Sequence, residues 1–142
     1  MSNDYIQQQI FNLQDFLYSC NIKHFQAYEL ISGLQSGNTP PEKDLWVNIL
    51  PTLKMLDECR DVVGRIRINS CYRNPEYNER VGGSSQSLHK YFKACDINPL
   101  DNCVQDVAKW LNSRIPSDSW GLRVYETFIH IDCRSWLYRN GV

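Results

Sequence analysis

The hydrophobic pattern changes period at Gly64, from helical spacing to alternation, and that change limits the chain to folds that open with helices and bring in strands only afterwards. Upstream, Ile6, Ile10, Leu13, Phe16 and Leu17 recur at three- and four-residue spacing, which lines one face of an amphipathic helix. A second short helix is expected at about 26–33, stopped by Gly33. The Gly37-Asn38-Thr39-Pro40-Pro41 cluster is a loop, and a third helix starts at about Glu42 with Leu45, Ile49, Leu53 and Leu56 in step. Pro51 either kinks that helix or ends a first-turn segment. Downstream, Ile66 and Ile68 alternate with Arg65, Arg67 and Asn69, as in a half-buried strand. Asn74-Pro75-Glu76 puts an N-cap before proline at the first helical position and predicts a short helix to about Val81, broken by Gly82-Gly83-Ser84-Ser85. Further strands are expected at about 92–97, 122–126 and 128–133, and Asp101 is expected to cap a helix with Val104, Val107, Ala108 and Leu111 on its apolar face. Helices early and strands late make an α+β domain.

Length and charge narrow the class. The 142 residues suffice for one compact domain, taken as 1–142, and 42% hydrophobic residues exclude wholesale disorder. Fifteen basic against sixteen acidic residues give a net charge of −1, which offers no global attraction to nucleic acid or an anionic membrane. Neither is expected as a partner, and a monomer is expected. No apolar run approaches the roughly 20 residues of a membrane span, and Met1-Ser2-Asn3-Asp4 lacks the basic-then-apolar pattern of a signal peptide. The protein is therefore expected to be cytoplasmic as synthesised. Six cysteines (Cys20, Cys59, Cys71, Cys95, Cys103 and Cys133) without an export signal are expected to be reduced, most of them as small buried hydrophobes. The absence of CxxC argues against a cysteine zinc knuckle.

Three stretches concentrate polar, metal-competent side chains on segments that otherwise pattern as core. In Ser87-Leu88-His89-Lys90-Tyr91-Phe92-Lys93-Ala94-Cys95-Asp96, a histidine and an aspartate stand seven apart across a loop entering a strand. In Phe128-Ile129-His130-Ile131-Asp132-Cys133, alternation sends His130 and Asp132 to one face and the apolar residues, with Cys133, to the other. Such a polar pair costs desolvation unless something satisfies it. The third, Asn69-Ser70-Cys71-Tyr72-Arg73-Asn74-Pro75, places an arginine just past a strand end. Two histidines and a carboxylate match the three protein ligands of a catalytic zinc ion. A solvated loop histidine at His89 and a hydrogen-bonded sheet histidine at His130 account for the same spacing. His24, between Lys23 and Phe25, is surface or core filler.

Ser87-x-His89-x-x-x-x-Ala94-x-Asp96 resembles the SxHxxGxAxD signature of the zinc D-alanyl-D-alanine carboxypeptidase family, and Ser70 to Asn78 resembles its SGYRSxxYN segment. Gly82-Gly83-Ser84 also matches, Phe128 to Arg134 is similar to the FVHVDxR strand, and His24 to Leu30 is similar to its HFxxxEF segment. Motifs in the family's order cover about 23–135. The group includes carboxypeptidases, phage L-alanyl-D-glutamate endolysins and the hedgehog signalling domain. The resemblance implies a hedgehog/DD-peptidase-like α+β fold, a small mainly antiparallel sheet flanked by helices.

It further implies zinc held by His89, Asp96 and His130, and Arg73 holding substrate oxygens, with Ser87 beside it in a supporting or substrate-binding role. The implied activity is hydrolysis of bacterial peptidoglycan stem peptides by a metal-activated water, of D,D-carboxypeptidase or endolysin type, with a carboxylate relaying the proton. Relatives commonly place that acid-base residue three positions before the last ligand, where this chain has Thr127. Glu126 is the first choice for the role and Asp132 the second, with Asp132 a ligand if His130 is the outer histidine of a shifted pair. Phe92 occupies the signature glycine, where it either narrows the pocket or fills core. A phage-like route, by holin or with the virion, fits a single domain with no export signal. The alternatives are a non-catalytic virion structural or interaction module and a cytoplasmic D-Ala-D-Ala dipeptidase.

Overall fold

A computed structural model describes residues 2–142; Met1, the first residue of the N-terminal pattern considered above, lies outside the described residues. Helix α1 (Asn3–Ser19) begins where the Ser2 hydroxyl accepts the Tyr5 N–H at 3.2 Å, and it buries Leu13 and Leu17. The second short helix expected at about 26–33 is a 3-10 turn, Ala27–Leu30. Gln26 and Glu29 cap each other there, and the chain reverses through Gly33 at φ +80°. A 3-10 segment, Lys43–Ile49, then runs straight into α2 (Leu50–Val63). Pro51 sits in the first turn of α2, where its missing N–H leaves no hydrogen bond unmade, so it starts this helix and does not kink it.

Strand β1 (Ile66–Ser70) leads to α3 (Pro75–Arg80), whose first turn is closed by the Asn74 side chain accepting the Tyr77 N–H at 2.7 Å. A 3-10 turn, Leu88–Tyr91, precedes β2 (Ala94–Pro99), which begins two residues later than expected because Phe92 is left-handed (φ 58°, ψ 47°). Helix α4 (Val104–Arg114) starts after Cys103, not under Asp101. Asp101 instead takes the Arg65 N–H at 2.6 Å and its guanidinium at 2.7 Å, a charged, two-pronged partner that outcompetes a neutral cap.

Strands β3 (Gly121–Val124), β4 (Ile129–Asp132) and β5 (Tyr138–Asn140) complete a five-stranded sheet of order β1-β2-β4-β3-β5. Every pairing is antiparallel except β3 with β5. Strand β5 has no sequence signature; it is held by the Arg139 guanidinium, which donates to the carbonyls of Pro116, Ser119 and Trp120.

Register decides where the chemistry lies. Cys95, Ile131 and Leu122 lie opposite one another on β2, β4 and β3 and are fully buried, and α4 packs against β2 and β3. The next row, on the other face, runs Ser70, Asp96, His130, Arg123 across β1, β2, β4 and β3. Among the described residues, no helix is long and apolar enough to cross a membrane.

Candidate metal centre

Asp96, His130 and Arg123 of that row floor a cleft of about 500 Å³, walled by the Gly82–Gly83–Ser84 loop, the turn carrying Ser87 to His89, and the aromatic side chains of Tyr125, Phe128 and Tyr138. His89, Asp96 and His130 each present a ligand-competent atom here, all within 4.8 Å of one another. Their partners fix which atoms those are. His89 Nδ1–H donates to the Cys71 carbonyl at 2.7 Å, so Nε2, 3.3 Å from Asp96 Oδ2, faces the cluster. His130 Nε2–H donates to Asp132 Oδ2 at 2.7 Å, so Nδ1, 2.9 Å from Asp96 Oδ1, is its inward atom. Each ring is thus anchored by its outer nitrogen to a carbonyl or carboxylate, the arrangement that orients metal-binding histidines.

Asp132 is fully buried and saturated. Besides His130 it accepts from the Arg134 backbone at 3.1 Å and from both forks of the Arg134 guanidinium at 2.8 and 2.7 Å. This grip depends on Gly121: a Cβ there would stand 2.5 Å from Asp132 Oδ2 and 2.7 Å from Arg134 Nε. Burial opposes the charge on Asp132, but the bonds from Arg134 and His130 prevail and hold the carboxyl well below its usual range. Burial likewise opposes charge on Asp96, and His130 and His89 overcome it to keep Asp96 ionised. His130, disfavoured as a cation by burial, is nonetheless raised to about 9 by Asp132 and Asp96. Asp96 and Asp132 together favour positive charge at His130.

The donor set fits zinc. Bonds of about 2.0–2.1 Å in a tetrahedron put ligand atoms about 3.4 Å apart, which small side-chain rotations reach from the observed spacing. His/Asp/His donors also accept other divalent ions.

Arg73 lines the cleft, with Nε donating to Ser70 Oγ at 3.0 Å, Nη1 to Asn78 Oδ1 at 3.3 Å and Nη2 lying 3.5 Å from Asp96 Oδ2. Gly83 leaves room for this, since a Cβ would collide with the Asn78 carboxamide oxygen. Ser87 accepts the His89 N–H at 3.3 Å and so closes the turn that carries His89. Glu126 stands exposed on the bend between β3 and β4 and is not among the residues lining the cleft. Phe92 is fully buried, edge-on to Tyr72 with centroids 5.9 Å apart; it fills core and does not narrow the cleft. His24 pairs with Asp61 at 2.7 Å, away from the cluster. Sequence reasoning passed over Asn38, almost fully buried, which donates to Ser32 and Tyr72 carbonyls and accepts the Asn74 N–H. It also passed over the Arg134 clamp. A buried asparagine after glycine and an arginine two residues past an aspartate are too common to stand out.

The peptidase M15 family model matches residues 23–132, from the segment before the first 3-10 turn to the end of β4. The chain belongs to the peptidase M15 family. That span of the M15 chain contains all of the clustered residues, and the α+β architecture agrees with the family's. Membership makes a zinc metallopeptidase the expected class, with a His/Asp/His cluster present to serve it. No curated protein matches the chain.

Proposed function

We propose that this M15 chain is a zinc-dependent peptidase that hydrolyses the peptide stems of bacterial peptidoglycan, as a D,D-carboxypeptidase or an endolysin-type endopeptidase. One observation carries the reading: His89 Nε2, an ionised Asp96 and His130 Nδ1 converge on a cleft floor while the outer nitrogens of both rings are committed elsewhere. These three residues would hold the metal. A bound zinc supplies Lewis-acid chemistry, lowering the pKa of a coordinated water and polarising the scissile carbonyl.

The rest is the work of side chains. Arg73, beside Asp96 and braced by Ser70 and Asn78, holds a substrate carbonyl or carboxylate oxygen next to the ligands. Ser87 keeps the His89 turn closed. Asp132 has no free oxygen to take a proton, so its part is to orient His130. Glu126 lies outside the cleft lining and has no side-chain hydrogen-bond or ion-pair partner among the described residues; it is the carboxylate assigned to move the proton, a role that requires the bend between β3 and β4 to bring it to the substrate.

The test is incubation of zinc-loaded protein with defined muropeptides and mass spectrometry of the products, with H89A and E126Q alongside. Cleavage by the wild type alone supports both the site and Glu126; cleavage retained in E126Q reassigns the proton acceptor only. One observation favours a second reading, a non-catalytic virion structural or interaction module: Asp96 is the only carboxylate among the described residues that line the cleft. Bound but uncut stem peptides would establish that reading.

A further inference from the structure

The cleft is cationic, and one of its guanidinium groups has no hydrogen-bonding or ion-pair partner among the described residues. Among the described residues, Arg73, Arg123 and Arg134 line it against the single carboxylate of Asp96. Arg134 is spent on Asp132, and Arg73 is braced by Ser70, Asn78 and Asp96. The Arg123 side chain makes no hydrogen bond or ion pair among the described residues. Its guanidinium instead lies 4.6 Å from the centre of the Tyr125 ring, which is itself stacked on Phe128 with centroids 4.2 Å apart. Stacking of this kind holds a guanidinium in place and leaves its N–H edge free. Register puts the Arg123 Cα directly opposite His130 on β4, on the sheet face that carries the proposed metal ligands. Cross-strand partners have Cβ atoms about 4.5–5.5 Å apart, so the arginine reaches ligands bound within one residue of that centre.

Building on the peptidase reading, we infer that Arg123 is a specificity-determining residue that captures a carboxylate of the substrate close to the scissile bond. The preferred substrates are therefore peptides with a free carboxylate there, and neutral peptides of the same sequence are poor ones. In a peptidoglycan stem the group is either the C-terminal carboxylate or the free carboxylate of the internal D-glutamyl residue. The chemistry is the same, a two-pronged guanidinium–carboxylate contact.

Calorimetric titration of the zinc-loaded protein with three synthetic stem pentapeptides tests this: the free acid, its C-terminal carboxamide, and the form with the D-glutamyl carboxylate amidated. The wild type is expected to bind the free acid about tenfold tighter than one of the amides, and the amide that loses affinity identifies the source. R123Q should bind all three alike, and R123K should keep part of the preference. Equal affinities in the wild type, no binding at all, or a preference that survives in R123Q would overturn the inference. Mass spectrometry of the same samples separates the two readings. Carboxylate-dependent binding without cleavage sinks the peptidase and spares Arg123, whereas cleavage with no carboxylate preference does the reverse.

Discussion

Replacing Phe92 separates two forces that act on one residue at the junction between His89 and Asp96. Phe92 is fully buried against Tyr72, and its backbone is left-handed at φ 58°. Its N–H reaches the His89 carbonyl at 3.3 Å, and Lys93 N–H reaches Leu88 at 3.2 Å, so the reversal sets the spacing between turn and strand. Truncating a buried phenylalanine to alanine costs about 3–5 kcal/mol. A left-handed non-glycine residue costs about 1–2 kcal/mol, which F92A keeps and F92G releases. After the greater unfolded-state freedom of glycine, about 0.5–1 kcal/mol, a net relief of about 1 kcal/mol remains. F92G should therefore be less stable than wild type by about 2–4 kcal/mol, yet more stable than F92A by about 1 kcal/mol. At an ordinary backbone position the order of the two variants is the opposite. Urea unfolding followed by tryptophan fluorescence gives both differences. An alanine variant at least as stable as the glycine variant would refute the left-handed backbone, and wild-type stability in both would refute the core role.

Asp132→Asn keeps the shape of the buried carboxylate but removes its charge, and should weaken zinc binding about 10–100-fold in a competition assay with a chromophoric chelator. Unchanged affinity would mean that the outer nitrogen of His130 is not what orients it. In the metal-stripped protein His130 is raised from its ordinary 6.5 to about 9, so its stabilising contribution is complete below about 6.5 and disappears as pH rises to about 9. Calorimetric melting across that window should show a falling Tm, and zinc affinity should rise over the same range as the proton leaves; a flat profile contradicts the Asp132–His130–Asp96 arrangement. Exposed Cys103 should react first with a chromogenic disulfide reagent, and buried Cys59, whose thiol burial pushes up to about 12, should react only on unfolding. Early labelling of Cys59 would show that α2 opens readily.

What could be seen in the sequence was whatever rests on local rules. Helical spacing placed α1 and α2, the Asn74-Pro75 pair placed α3, and alternation put His130 and Asp132 on one face. Seven-residue spacing brought His89 and Asp96 together with His130 because a short turn and an αL reversal fit between them. What could not be seen depends on partners distant in sequence. Asp101 leaves its expected cap for Arg65, thirty-six residues away. Strand β5 exists through Arg139 and a parallel pairing, not through alternation. The saturation of Asp132 by Arg134, and the position of Glu126 outside the cleft lining, follow from where β4 ends and how the β3–β4 bend turns.

The proposed hydrolytic activity of this cleft rests on one zinc held by His89, Asp96 and His130. Its most direct test is stem-peptide hydrolysis by chelator-stripped protein as zinc is added back. No cleavage is expected without metal, then a linear rise and a break at about one equivalent of zinc per chain, as for a site with three protein ligands. Full activity in stripped protein, or none at any zinc concentration, would contradict it.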